Sequence, residues 1–227
     1  MTKRLIIIPA RKNSKRIKNK NFKLFFGKSI IKYSIDIALK TKIFDKIHIS
    51  SDAKNLKNKF NKSNKIDFDF ERPKKLSNDK VGLFEVFKYV VNQYKIKQIF
   101  FDEIWFLSSC SPLILKDDLI KAASIIKKTN VNVLLSTCKY SQPIERSFYK
   151  KNKKLIPLNK SNQKKNTQFF SPKYYHTGNF AVFKSELFYK KNKKFNFIDY
   201  ELPILRSVDI DNIEDWKLAE KLFNRKF

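Results

Sequence analysis

Leu5-Ile6-Ile7-Ile8-Pro9, followed at once by Ala10-Arg11-Lys12-Asn13-Ser14-Lys15-Arg16-Ile17-Lys18-Asn19-Lys20-Asn21, is the stretch on which the reading of this 227-residue chain turns. An unbroken apolar run closed by proline reads as a short strand covered on both faces, as in a parallel sheet. The loop behind it is dense in Arg, Lys, Ser and Asn. It sits just past the carboxyl end of a strand, where ligands bind in open α/β sheets. Such a loop can surround a triphosphate with cations and hydrogen-bond donors. On composition alone it also reads as one more basic surface loop in a basic protein. A Walker-type phosphate loop is excluded, because that motif needs glycines this loop lacks.

Outward from this stretch, helical and strand patterns alternate. Ser29–Leu39 carries Ile30, Ile31, Ser34, Ile35 and Ala38 on one helical face. Ile47–Ser50 reads as a second strand, Val81–Tyr94 as a helix striped by Phe84, Phe87, Val91 and Tyr94, and Ile104–Leu107 as a strand. Leu119–Ile126 has helical spacing and Val131–Ser136 is strand-like. From Tyr140 to Tyr175 the alternation breaks into a polar, lysine-rich segment that reads as an inserted arm or an oligomer contact. Gly178–Phe183 restores a strand, and Ile213–Phe223 is a last helix behind the stretch Val208–Asp211. The pattern predicts an α/β fold with one doubly wound, mostly parallel sheet, an inserted polar arm around 140–175, and a single domain over residues 1–227.

Composition narrows the function classes. Hydrophobic residues at 42% and aromatics at 15% exceed what a disordered chain carries. No run approaches the ~18 apolar residues of a membrane span. The opening apolar run of four residues is shorter than the roughly 7 a secretory signal needs, so a cytoplasmic location is expected. Cys110 and Cys138 form no paired motif and read as reduced, buried thiols. His48 and His176 alone build no conventional zinc site.

The formal charge of +29 suggests a nucleic-acid binder, with steep salt dependence and exposed stacking aromatics. Of the 50 basic residues, however, only seven are arginine, the better residue for bidentate phosphate and base contacts. Abundant Lys, Asn, Ile and Phe with three glycines is what AT-rich codons produce, and the 22 phenylalanines fall mostly at core spacing. No nucleic acid and no membrane is expected as partner, although a basic surface attracts anionic substrates such as nucleotides.

The first loop resembles the signature of the acylneuraminate cytidylyltransferases, Ala-Arg-x-x-Ser-Lys-(Gly or Arg)-x-x-x-Lys-Asn, complete at its fixed positions from Ala10 to Asn21. Ile49-Ser50-Ser51-Asp52, Glu71-Arg72-Pro73 with Leu76 and Asp79, Ser111-Pro112-Leu113 and Asp209-Ile210-Asp211 with Asp215-Trp216 are similar to further family segments, in the family's order. The resemblance implies a Rossmann-like nucleotidyltransferase that joins CMP from CTP to the anomeric hydroxyl of an acidic nine-carbon sugar, releasing pyrophosphate. It implies that Arg11, Ser14 and Lys20 hold the triphosphate with Lys15 helping, and that Asn21, Arg72 and Asp79 meet the nucleotide. Arg11, Lys20, Asp209 and Asp211 are the implied catalytic residues.

Asp209 and Asp211, two apart on an extended run, project to one side and suit Mg²⁺ as hard oxygen ligands. The alternative is a turn capping the next helix, since Asp211 or Asn212 could each be its N-cap. Ser108 and Ile114 stand where many sialate-activating members carry Gln and Arg, which points away from plain N-acetylneuraminate. Ser-Lys-Arg in the first loop, Gln142-Pro143-Ile144-Glu145-Arg146 and Tyr175-His176-Thr177-Gly178-Asn179-Phe180 resemble the pseudaminate-activating branch. Ser108, Arg146 and His176 are then candidates to meet the sugar, and a homodimer using the arm is implied. Legionaminate and sialate are the alternative sugars. The first loop argues against an eight-carbon ulosonate.

Overall fold

The computed structural model describes residues 2–12, 14–54, 56–60, 63–78 and 80–225. Asn13 of the first loop and Asp79 therefore lie outside the described residues.

The first strand, β1 (Arg4–Pro9), shows why its sequence has no polar face: Leu5 to Ile8 are fully buried. Successive side chains leave a strand on opposite faces. Ile6 and Ile8 pack with Ile31, Ile35, Trp105, Leu119 and Ile126 on one face, while Leu5 and Ile7 pack with Val86, Phe87, Val90 and Tyr94 on the other. Each such buried aliphatic side chain is worth about 1.5–3 kcal/mol.

The hairpin β2 (Leu24–Phe25) and β3 (Lys28–Ser29) turns through Phe26 and Gly27, both at positive φ, as a tight two-residue turn requires. Helix α1 (Ile31–Thr41) follows, then β4 (Lys46–Ser50), the short α2 (Leu56–Phe60) and β5 (Ile66–Asp67). Next come α3 (Leu83–Ile96), β6 (Glu103–Leu107), α4 (Lys116–Lys128) and β7 (Val133–Lys139). The chain then passes through a small hairpin, β8 (Phe148–Lys151) and β9 (Lys154–Pro157), before β10 (Tyr174–Lys184). It closes with α5 (Glu186–Tyr189), β11 (Phe197–Glu201) and α6 (Ile213–Phe223).

Seven strands form one sheet in the order β11-β7-β10-β6-β1-β4-β5. β10 runs antiparallel to both its neighbours, and the other pairings are parallel. α1 and α4 cover one face and α3 the other, so the sheet is doubly wound and mostly parallel, as the alternation predicts. The arm is also where the sequence places it, occupying residues 140–173 between β7 and β10. The arm's Phe148, Tyr149, Leu155 and Phe169 are exposed. Among the described residues, no helix is long and apolar enough to cross a membrane.

Two features aim the fold at its site. The pairing of β10 with β7 shifts register between His176 and Ala181, where Gly178 has φ +70°. A third apolar cluster joins Ile17 of the first loop, Phe25, Ile30, Cys110, Ile210, Trp216 and Ala219. That cluster locks the loop after β1 to the segment carrying Asp209 and Asp211.

Candidate active site

A cleft of about 650 Å³ opens at the carboxyl ends of the central strands, lined by residues that include Arg11, Ser14, Lys15, Arg16, Lys20 and Asn21 from the first loop. Arg72, Ser108, His176, Gly178, Asp209 and Asp211 face the same space from other elements. Of the sequence-derived candidates, Arg146 stands apart, exposed in the arm and outside this lining.

The loop keeps its shape by local hydrogen bonds. Ser14 Oγ donates to the Ile17 carbonyl at 2.5 Å and accepts from the Lys20 backbone N–H at 2.7 Å. Asn19, in the left-handed region at φ 55°, then starts the one-turn 3-10 segment Lys20–Phe22. Asn21 is buried: its amide donates to the Arg11 carbonyl at 2.8 Å, and its carbonyl oxygen accepts from Ser109 Oγ at 2.8 Å and Cys110 Sγ at 3.3 Å. It thereby ties the first loop to the loop after β6. Burial, chiefly, pushes the Cys110 thiol up to about 11, so it acts as a neutral packing group and not as a nucleophile. Both cysteines are free and buried, as the sequence implies.

The other walls are built similarly. Asp52 Oδ1 accepts from the Lys12 backbone N–H at 2.6 Å, tying the loop to the end of β4. Arg72 is buried, and its Nε donates to the Leu76 carbonyl at 2.8 Å, closing the 72–76 turn over the cleft. Burial holds its guanidinium below the usual arginine value, nearby Arg11 adds to this, and Asp52 opposes it. Ser111 Oγ donates to Asn179 Oδ1 at 2.8 Å and Ser108 N–H donates to the Asn179 carbonyl, so the loop after β6 is bound to the irregular part of β10. Ile114, by contrast, turns into the core. Desolvation lowers the basicity of His176, opposed by a hydrogen bond with the Phe180 backbone.

The carboxylates complete the cleft. Asn212 caps α6, accepting from the backbone N–H groups of Glu214 and Asp215, and Asp215 closes the reciprocal capping box. Of the two cap candidates the helix takes Asn212, which leaves the Asp211 side chain available. It pairs with Lys20 Nζ at 3.1 Å and Arg16 Nη1 at 3.0 Å, while Lys20 Nζ also donates to the Ile210 carbonyl. Asp209 lies against Gly178. Desolvation first and the charge of Asp211 second push its carboxyl up, with Lys20 opposing. Its solvent-accessible surface is nonetheless large. The two facts agree for a group on a concave wall, with protein on most sides and solvent at its tip.

Two residues that line the cleft, Arg16 and Gly178, are not among the sequence-derived candidates. Arg16 lies inside the signature but carried no assigned role. Gly178 had a readable signal: it is one of three glycines in 227 residues, immediately after His176-Thr177. Beside the cleft, an apolar hollow of about 430 Å³ is walled by Phe84, Phe87, Phe183, Phe195 and Phe197 and shares Leu83, Phe106 and His176 with it.

Comparison with known proteins places the chain in a family. Residues 5–226 match the cytidylyltransferase family. The chain is 30% identical over 224 residues to the pseudaminic acid cytidylyltransferase of Campylobacter jejuni, covering 97% of this chain and 96% of the relative. It is 26% identical to the CMP-N,N'-diacetyllegionaminic acid synthase of Legionella pneumophila over 96% of this chain and 95% of that one. The solved structure of CMP:2-keto-3-deoxy-manno-octonic acid synthetase complexed with CTP superposes with a TM-score of 0.68 over 100% of both chains at 15% identity, a likeness of fold. The chain belongs to the cytidylyltransferase family, within the group that includes the pseudaminic acid enzymes.

Proposed function

We propose that this protein transfers CMP from CTP to the anomeric hydroxyl of a pseudaminate-like nonulosonate. The observation that carries the reading is one cleft that gathers Arg11, Arg16 and Lys20 with Asp209 and Asp211, at the carboxyl ends of the parallel strands of a mixed sheet. The sugar oxygen forms a bond to the α-phosphorus, the bond from that phosphorus to the bridging oxygen breaks, pyrophosphate leaves and the hydroxyl proton passes to water. Such a transfer is mostly positioning and charge neutralisation. Arg11 and Lys20, with Lys15, set cations against the triphosphate. Ser14 and Asn21 shape the loop that presents them. Arg72 and, from its place in sequence, Asp79 serve the nucleotide side.

The two carboxylates fit Mg²⁺. Asp209 is pushed up partly by Asp211, a repulsion that a shared cation relieves. Carboxylate oxygens are hard donors, the kind Mg²⁺ takes from protein in small number. Asp209 and Asp211 would hold the ion, which would supply neutralisation of phosphate charge.

Ser108 and His176 face the sugar, with the apolar hollow beside His176 suited to acyl or methyl substituents. Arg146 lies outside its own cleft, so it could meet the sugar only from a second subunit's arm. A homodimer, for which the exposed apolar side chains of the arm also argue, is what that role needs. Light scattering should report a dimer, and a monomer at working concentration would remove Arg146 from the site. A cytoplasmic location, where CTP is made, goes with this reading.

The test is pyrophosphate release with CTP, Mg²⁺ and a panel of nonulosonates. Release with pseudaminate alone supports the whole reading. Release with legionaminate or sialate instead keeps the reaction and changes the sugar, and release with none refutes the reading.

A further inference from the structure

We infer that Asp211 is an exchangeable counter-ion, which holds Arg16 and Lys20 until the nucleotide's phosphates take those cations from it, and that Arg16 is a phosphate-binding residue. This deepens the function proposed above and rests on it.

The geometry carries the argument. Each Asp211 carboxylate oxygen faces a different cation, Lys20 Nζ at 3.1 Å and Arg16 Nη1 at 3.0 Å, and all three side chains line the cleft. Nothing local demands Asp211 there. Helix α6 is capped by Asn212 and Asp215, and the Asp211 backbone N–H is satisfied by Asp215 Oδ2 at 2.9 Å. Lys20 has a second anchor in the Ile210 carbonyl, so it stays at the cleft when Asp211 leaves. Arg16 has no other ion-pair partner among the described residues, and its side chain is 65% exposed, so it is free to swing.

A partly exposed ion pair is weak, because water screens it and holding two side chains in one geometry costs entropy. A triphosphate carries several charges and forms bidentate contacts with a guanidinium. It therefore wins both cations. Asp211, released beside a polyanion, is then repelled unless a divalent cation joins it. Nucleotide and metal binding should be coupled through this one carboxylate, each making the other more favourable.

The experiment compares CTP affinity by calorimetry for wild type and Asp211→Asn, with chelator present and then with Mg²⁺. Without metal, Asp211→Asn should bind CTP about fivefold to tenfold more tightly, since one unit charge near the phosphates is gone. High salt should erase most of that gain. With Mg²⁺ the order should reverse, wild type binding more tightly. In an Arg16→Gln background the metal-free gain should shrink. Asp211→Ser serves as a second variant should Asp211→Asn melt early. Equal or weaker metal-free binding by both variants overturns the exchange while leaving the proposed reaction standing. Absence of CTP binding by wild type both with chelator and with Mg²⁺ overturns both; binding only with Mg²⁺ overturns the exchange alone.

Discussion

A Cβ placed on Gly178 would lie 2.8 Å from Asp209 Oδ2, so the irregular backbone of β10 and one carboxylate of the cleft occupy adjoining space with no room for a methyl group. Gly178 also holds φ +70°, where a side chain costs about 1–2 kcal/mol. The neighbour that must give way is the tip of a side chain, not backbone, so Gly178→Ala should fold and displace Asp209. We expect a stability loss of about 1–2 kcal/mol with a fall in kcat of roughly tenfold to a hundredfold. Thermal melts beside pyrophosphate-release kinetics check this. Wild-type turnover in the variant would show that the contact does not position Asp209.

Lys20→Ala and Asp209→Ala should each lower turnover by about a hundredfold to a thousandfold, the range seen when one charge-stabilising group is removed. Neither side chain belongs to an apolar cluster, so circular dichroism and the melting temperature should stay near wild type. Normal activity in either variant would sink the assignment of the cleft.

Asn21→Ala should behave differently. The substitution removes one donor and one acceptor that serve the Arg11 carbonyl, Ser109 and Cys110 in a buried setting. Leaving such groups unpaired costs about 1–3 kcal/mol. Denaturant unfolding should show that loss together with weaker CTP binding. A variant with unchanged stability but lost CTP affinity would make Asn21 a direct nucleotide contact instead of a loop tie.

His48 makes stability depend on pH. It is fully buried on β4, with Nδ1 3.4 Å from Tyr94 Oη, while Tyr94 donates its own proton to Asp67 Oδ2 at 2.6 Å. Nε2 has no hydrogen-bond partner. Burial pushes the imidazole down to about 4, against the opposing charges of Asp67 and Asp69. The unfolded chain takes up a proton as pH falls through about 6.5, and the folded protein does not until about 4. The contribution of His48 is therefore complete above the ordinary histidine value and is lost progressively as pH falls toward 4. Melting temperature followed from pH 7 to 4.5 should fall less in His48→Gln than in wild type. Parallel curves would contradict the buried neutral imidazole.

The β1 run, the alternation behind it and the signature loop were legible because each is local. A strand buried on both faces needs consecutive apolar residues, a covering helix needs a 3.6-residue stripe, and a phosphate loop needs its cations within one short segment. β5 and β11 escaped that reading. β5 is only two residues long, and β11 is an edge strand whose Phe197, Asp199 and Glu201 are exposed on alternate positions, so neither carries a continuous apolar signal.

By itself the sequence determined the fold class, the place of the first loop and the chemical kind of group in the site. The choice of Asn212 over Asp211 as helix cap, the pairing of Asp211 with Arg16 and Lys20, and the contact of Gly178 with Asp209 were decided only in three dimensions. So was the place of Arg146, outside the cleft of its own chain. The physical reason is separation. Lys20 and Asp211 are 191 residues apart and meet because Ile17 and Ile210 are buried in the same apolar cluster. Burial of that cluster, which no local pattern encodes, brings the cations and the carboxylates to one cleft.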